Sequence, residues 1–135
     1  TAAGMLTKRG KIAIITASMD KVAREETIIS AYSPYLKRTI TLTNEIWIYK
    51  ILASHGEVRN CRQFIHETIE KLDKNSLIYK KNRNHSSIAV WKKCHYLEGM
   101  FEYLKIAIHL EGQDKGVITT AHGINNLPTN DMEPL

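Results

Sequence analysis

Two clusters of side chains have the chemistry to touch a nucleic acid. Arg59, Asn60, Arg62, Gln63 and His66 fall within eight consecutive positions. The amides of Asn60 and Gln63 match the donor–acceptor edge of adenine, and Arg59 and Arg62 can reach guanine or phosphate. The second cluster is Lys80, Lys81, Arg83 and His85, interleaved with Asn82, Asn84, Ser86 and Ser87. Cations among small neutral donors suit phosphate and minor-groove contacts.

Other chemistries find less support. The six histidines are His55, His66, His85, His95, His109 and His122, and the two cysteines are Cys61 and Cys94. Cys61 and His66 are five positions apart and Cys94 and His95 are adjacent, neither of which is a structural zinc spacing. No metal and no cofactor is expected. Gly10–Ser18 resembles the first strand of a dinucleotide-binding unit, but the loop Thr16–Asp20 has no glycine to let a pyrophosphate approach the backbone. No phosphate loop, nucleophile elbow or metal-hydrolase motif occurs. The expectation is a protein that is not an enzyme, with no small-molecule ligand.

Charge points the same way as the two clusters. The 135 residues carry a net charge of +5. Residues 1–105 hold 18 Lys and Arg against 10 Asp and Glu, whereas residues 106–135 hold one Lys against four acids. A basic body with an acidic end favours a polyanionic partner for the body. Two lone cysteines, each in an apolar pattern, read as buried thiols of a cytoplasmic protein. The apolar run Ile12–Ala17 is too short for a secretory leader or a membrane span. No membrane association is expected.

The elements that would position these clusters follow from periodicity. Thr1–Gly4, ahead of Met5, read as a cloning scar, and residues 1–10 as a flexible start. Lys11–Ala17 is β-prone, and Ser18 would cap a helix over Met19–Tyr32 that stops before Pro34. Thr43 would cap a second helix through Leu52, apolar almost all round and therefore buried. A third would run from Val58 or Asn60 to Leu72 or Lys74, with Cys61, Ile65, Ile69 and Leu72 on its buried stripe. Leu77–Tyr79 and Ile88–Trp91 predict an antiparallel hairpin with a basic tip. A last helix is predicted over Lys92–Leu110, from Cys94, Leu97, Phe101, Leu104 and Ile108 at alternating spacings of three and four. Residues 11–111 would form one domain, and 112–135 a disordered acidic tail.

Over Thr41–Trp91 the chain resembles the winged helix-turn-helix family. The residues concerned are Thr43–Leu52, the turn His55-Gly56, and the stretch Ile69–Lys81, in which a helix closes on Leu72 and a strand opens on Leu77-Ile78. That resemblance implies an α+β, mostly helical fold with a C-terminal dimerisation helix. It implies a transcriptional regulator that binds double-stranded DNA through Arg59, Asn60, Arg62, Gln63, His66, Lys80, Lys81, Arg83 and His85. A replication initiator of a mobile element would use the same module. A helical protein–protein interaction module, an adaptor or anti-repressor, is the alternative from a different class.

Such modules commonly pair, and the last predicted helix offers the means. Met100, Tyr103, Ala107 and Leu110 would form a second apolar stripe on it, left exposed in a monomer. They are the expected interface of a homodimer.

Overall fold

The computed structural model describes residues 25–129 and 131–135. Its centre is a mixed sheet of seven strands. These are β1 (Thr27–Ser33), β2 (Arg38–Thr43), β3 (Leu77–Lys81), β4 (Asn84–Lys93), β5 (Tyr103–Glu111), β6 (Lys115–Ile124) and β7 (Met132–Pro134). Between β2 and β3 lie a π-helical segment α1 (Ile46–Leu52), a 3₁₀ turn (Gly56–Val58) and α2 (Arg62–Glu70). The strands lie in the order β1-β2-β6-β5-β4-β3-β7. All pairings are antiparallel except β2 with β6, which is parallel.

The fold is therefore not the mostly helical winged helix that the sequence patterns predict. Three segments account for the difference. Thr27–Tyr32, the second half of the first predicted helix, lies in strand β1, and its first part, Met19–Arg24, lies outside the described residues, as does Lys11–Ala17. In β1 the side chains of Ile29, Ala31 and Ser33 are buried while Ser30 and Tyr32 are exposed. That alternation is the period of a strand, and the run Thr27-Ile28-Ile29 is β-branched.

The predicted helix Lys92–Leu110 is instead the end of β4, a loop, and β5. Leu104, Ile106 and Ile108 alternate into the core, with Lys105, Ala107 and His109 on the other side. The spacings of three and four picked out Leu104 and Ile108 but skipped Ile106, which is fully buried. Gly99, at φ 86° in the loop, also breaks any helical run. The expected tail from residue 112 onward supplies β6, which lies between β2 and β5 near the sheet's centre. Ile118, Ala121 and Gly123 are buried there. Its polar composition misled because only one face of this strand enters the core.

Other elements form where their sequence patterns place them, but the segment after Thr43 is not buried all round as expected, since Ile48 and Tyr49 are exposed. Thr43 Oγ1 accepts a hydrogen bond from Ile46 N at 3.3 Å at the start of α1. The helix buries Trp47 and Ile51. α2 buries Ile65 and Ile69, and β3 and β4 form the antiparallel hairpin.

Ile78, Val90, Ile106 and Ala121 stand in one row across four strands, and all are buried. Val58, Cys61, Ile65, Ile69 and Leu72 close over this face from the helical side. Each Ile, Val or Leu side chain among them contributes about 1.5–3 kcal/mol through removal from water. The opposite face carries the alternate residues, and it is there that polar groups gather.

Candidate functional site

Side chains paired directly across neighbouring strands project from the same face. Trp91 pairs with Lys105, and Lys105 with His122, so the three form a row on the face away from the helices. Lys105 Nζ stands 5.0 Å from the centre of the Trp91 ring, a cation–π distance. The row beside it is Ala89, Ala107 and Thr120. Small residues there leave a groove of about 630 Å³, bordered by Lys81, Lys105, His109, Thr119, Thr120 and Asp131.

At the β6 end of the row a second cluster forms. β2 pairs with β6 only as far as Val117, which leaves the rest of that edge to α1 and the 3₁₀ turn. The turn delivers His55 and Glu57. The rings of His55 and His122 stack with centres 4.9 Å apart and planes inclined by 30°. Glu57 Oε2 lies 3.7 Å from His55 Nδ1, and the same oxygen accepts the Gly123 backbone N–H at 2.9 Å. Glu57 thus ties the turn to β6 beside His122 and holds a counter-charge against His55.

His122 Nδ1 lies 3.0 Å from the Gly123 carbonyl oxygen. A carbonyl only accepts, so the proton of the neutral ring rests on Nδ1 and the lone pair on Nε2. Burial pushes the His122 pKa below the ordinary imidazole value, and the nearby His55 and Lys105 push the same way. Neutral His122 is thus the form favoured near pH 7, and it can take a proton at Nε2. Burial also lowers Lys105, with Lys81 adding repulsion. Lys105 belongs to both clusters and links the imidazole pair to the groove.

The predicted recognition residues sit elsewhere and are largely matched within the chain. Arg59 Nε is 3.3 Å from Glu98 Oε1, and Asn60 Nδ2 is 3.5 Å from Glu98 Oε2. Arg62 donates to the Ile28 carbonyl at 3.4 Å, and Gln63 donates to Glu67 at 3.2 Å. His66 faces Glu70 at 3.3 Å. Lys80 faces Glu133 at 3.4 Å. Lys81 borders the groove, whereas Arg83 and His85 are exposed at the β3–β4 tip. Met100 is 93% exposed in the β4–β5 loop. Tyr103, Ala107 and Leu110 belong to β5, and Leu110 packs against the core. These four form no common stripe, because the helix that would align them is strand and loop.

His55, Glu57, Lys105, His109 and His122 were missed as a group. His55 reads from sequence as a helix terminus, and Lys105, His109 and His122 fall in the supposed last helix and tail. The available signal was the period-two pattern of residues 104–108 and the β-branched run Val117–Thr120, which together announce a hairpin.

Among the described residues no three His, Cys, Asp or Glu side chains are placed to hold a metal ion. No described helix is long and apolar enough to cross a membrane. No protein-family model, curated protein or solved structure matches the chain.

Proposed function

We propose that the chain cleaves RNA by acid–base catalysis, with His122 as base, His55 as acid and the groove holding the strand. The stacked pair His55–His122, braced by Glu57 and joined to the groove by Lys105, carries this reading. Two imidazoles can deliver the two proton transfers of a phosphodiester transesterification. RNA brings its own nucleophile, the 2′-hydroxyl, so the protein has no need of a reactive serine or cysteine. His122 Nε2 takes the 2′-hydroxyl proton as that oxygen bonds to phosphorus. The bond to the 5′-oxygen breaks, and His55 gives that oxygen a proton. The products are a 2′,3′-cyclic phosphate and a free 5′-hydroxyl. Lys105 stands where it can offset charge developing on the phosphoryl oxygens.

The basic body of the chain supports the choice of a polyanionic substrate. The test is incubation with an RNA oligonucleotide and with DNA of the same sequence. RNA alone should be cut, leaving cyclic phosphate ends, and His122→Ala and His55→Ala should each slow cleavage by about 10²–10⁴-fold. Equal cutting of DNA, or full activity in both variants, would defeat the proposal.

A second reading, binding of duplex DNA without chemistry, draws on the exposed Arg83 and His85 at the hairpin tip. It predicts salt-dependent retention of intact duplex that weakens in Arg83→Ala and persists in His122→Ala.

A further inference from the structure

We infer that Lys81 and Lys105 form a phosphate subsite of the groove, and that the carboxylate of Asp131 stands in it where a substrate phosphate would bind. The subsite presupposes that the groove takes nucleic acid, but not that the strand is cut.

Three observations converge on it. Lys81, Lys105 and Asp131 border one groove, although Lys81 ends β3, Lys105 lies within β5 and Asp131 precedes β7. The hydrogen bond from Thr129, then one from the backbone, hold the Asp131 carboxyl below the usual range, and attraction to Lys81 and Lys105 adds to them. Lys105, half-buried and repelled by Lys81, gains from the negative charge of Asp131. Two ammonium groups bordering one space favour an anion there, and the Asp131 carboxylate on the same rim attracts both without pairing directly with either.

The segment that brings this carboxylate is lightly held. β7 has three residues, paired to the outer edge of β3. It is joined by Asn82 N to Asp131 O at 3.2 Å, Leu135 N to Ile78 O at 2.9 Å and the Lys80–Glu133 pair at 3.4 Å. Closer to the groove, Trp91 Nε1 donates to Asn126 O at 3.0 Å. Short, exposed pairings of this kind open at low cost. A strand of nucleic acid can therefore displace the carboxylate by presenting a phosphate to the same two lysines. The consequence is competition between the acidic end of the chain and its substrate.

The test is the affinity of the full chain for a 2′-O-methyl RNA oligonucleotide, which lacks a free nucleophile, read by fluorescence anisotropy. Asp131→Asn should tighten binding about two- to fivefold, the size of an exposed ion pair. Asp114→Asn, an equal charge change at the β5–β6 turn, should leave it unchanged. Lys81→Ala should weaken binding more in the Asp131→Asn background than in the wild type. Equal effects of the two neutralisations, or strict additivity of the Lys81 and Asp131 changes, would overturn the subsite. Binding that follows the expected pattern while ordinary RNA stays intact would leave the subsite standing and remove the cleavage reading. RNA cleavage without any Asp131 effect would do the reverse. No binding by wild type or variant would remove both.

Discussion

Glu57 and Gly123 are joined by a 2.9 Å hydrogen bond from the Gly123 backbone N–H to Glu57 Oε2. The bond matters because its two ends belong to different parts of the fold. Glu57 lies in the 3₁₀ turn after α1, and Gly123 lies in β6, next in sequence to His122. It ties the turn that carries His55 directly to the strand that carries His122.

The bond separates two roles of Glu57. Glu57→Gln keeps an acceptor for the Gly123 N–H but loses the charge facing His55. Its thermal stability should stay close to wild type, while cleavage falls. Glu57→Ala leaves a buried N–H unmatched and should cost about 1–3 kcal/mol of stability. Urea denaturation of the two variants, run beside an RNA-cleavage assay, distinguishes these outcomes.

His122 gives the protein an acid-sensitive limb. Its pKa is lowered in the folded chain, chiefly by burial, from an ordinary value of 6.5. Below 6.5 the unfolded chain binds a proton that the folded chain resists, so stability falls as pH drops towards the lowered value. Above 6.5 both states are neutral at this site and the effect vanishes. His122→Gln should therefore flatten the dependence of melting temperature on pH below 6.5 and leave it unchanged above. An acid limb as steep in the variant as in wild type would assign the sensitivity to other groups.

Cys61 and Cys94 lie with their sulfurs 3.8 Å apart, both buried. Burial, then the neighbouring Cys94, pushes the Cys61 thiol up to about 12. A thiol is nucleophilic only as its thiolate, so Cys61 should be inert in the native protein. An aromatic disulfide reagent at pH 8 should label Cys61 at the rate of global unfolding and no faster. Cys61→Ala should destabilise the fold by about 1–2 kcal/mol through lost packing.

The legible parts of the fold were those with local signals. The Thr43 cap, the helical character of α1, the stripe Cys61–Ile65–Ile69 and the hairpin Leu77–Trp91 announce themselves within short windows. The central strands β5 and β6 did not, because their order in the sheet depends on partners distant in sequence. β6 pairs in parallel with β2 and antiparallel with β5, and no local pattern encodes that placement. The imidazole pair suffered the same loss. Stacking of His55 on His122 requires β6 to pass beside the 3₁₀ turn, and a segment read as tail cannot be placed there. Lys81 was legible as a cation at a hairpin, though Asp131 on the rim of the same groove was not. Chemistry was visible residue by residue; its assembly was a matter of topology.

Gly123 offers a direct probe of that assembly. A Cβ built there would lie 2.5 Å from Phe101 Cγ and 2.9 Å from Phe101 Cβ. The Phe101 ring therefore lies against bare backbone at the point where Glu57 bonds to β6. Near contacts to Cγ and Cβ cannot be relieved by swinging only the far end of the ring. Gly123→Ala must displace the β4–β5 loop, the Glu57 turn or both. It should cost about 1–3 kcal/mol, the usual range for overpacking. Cleavage should fall further than stability alone explains, since the Glu57 bond sets the position of His55. Phe101→Ala in the same chain makes room for the new methyl group. The double variant should recover much of the activity lost by Gly123→Ala, although it forfeits the packing of the ring. If activity stays low while stability returns, Gly123 affects the site by some route other than the Phe101 contact. If Gly123→Ala is fully active, the alignment of His55 with His122 does not depend on this edge of β6.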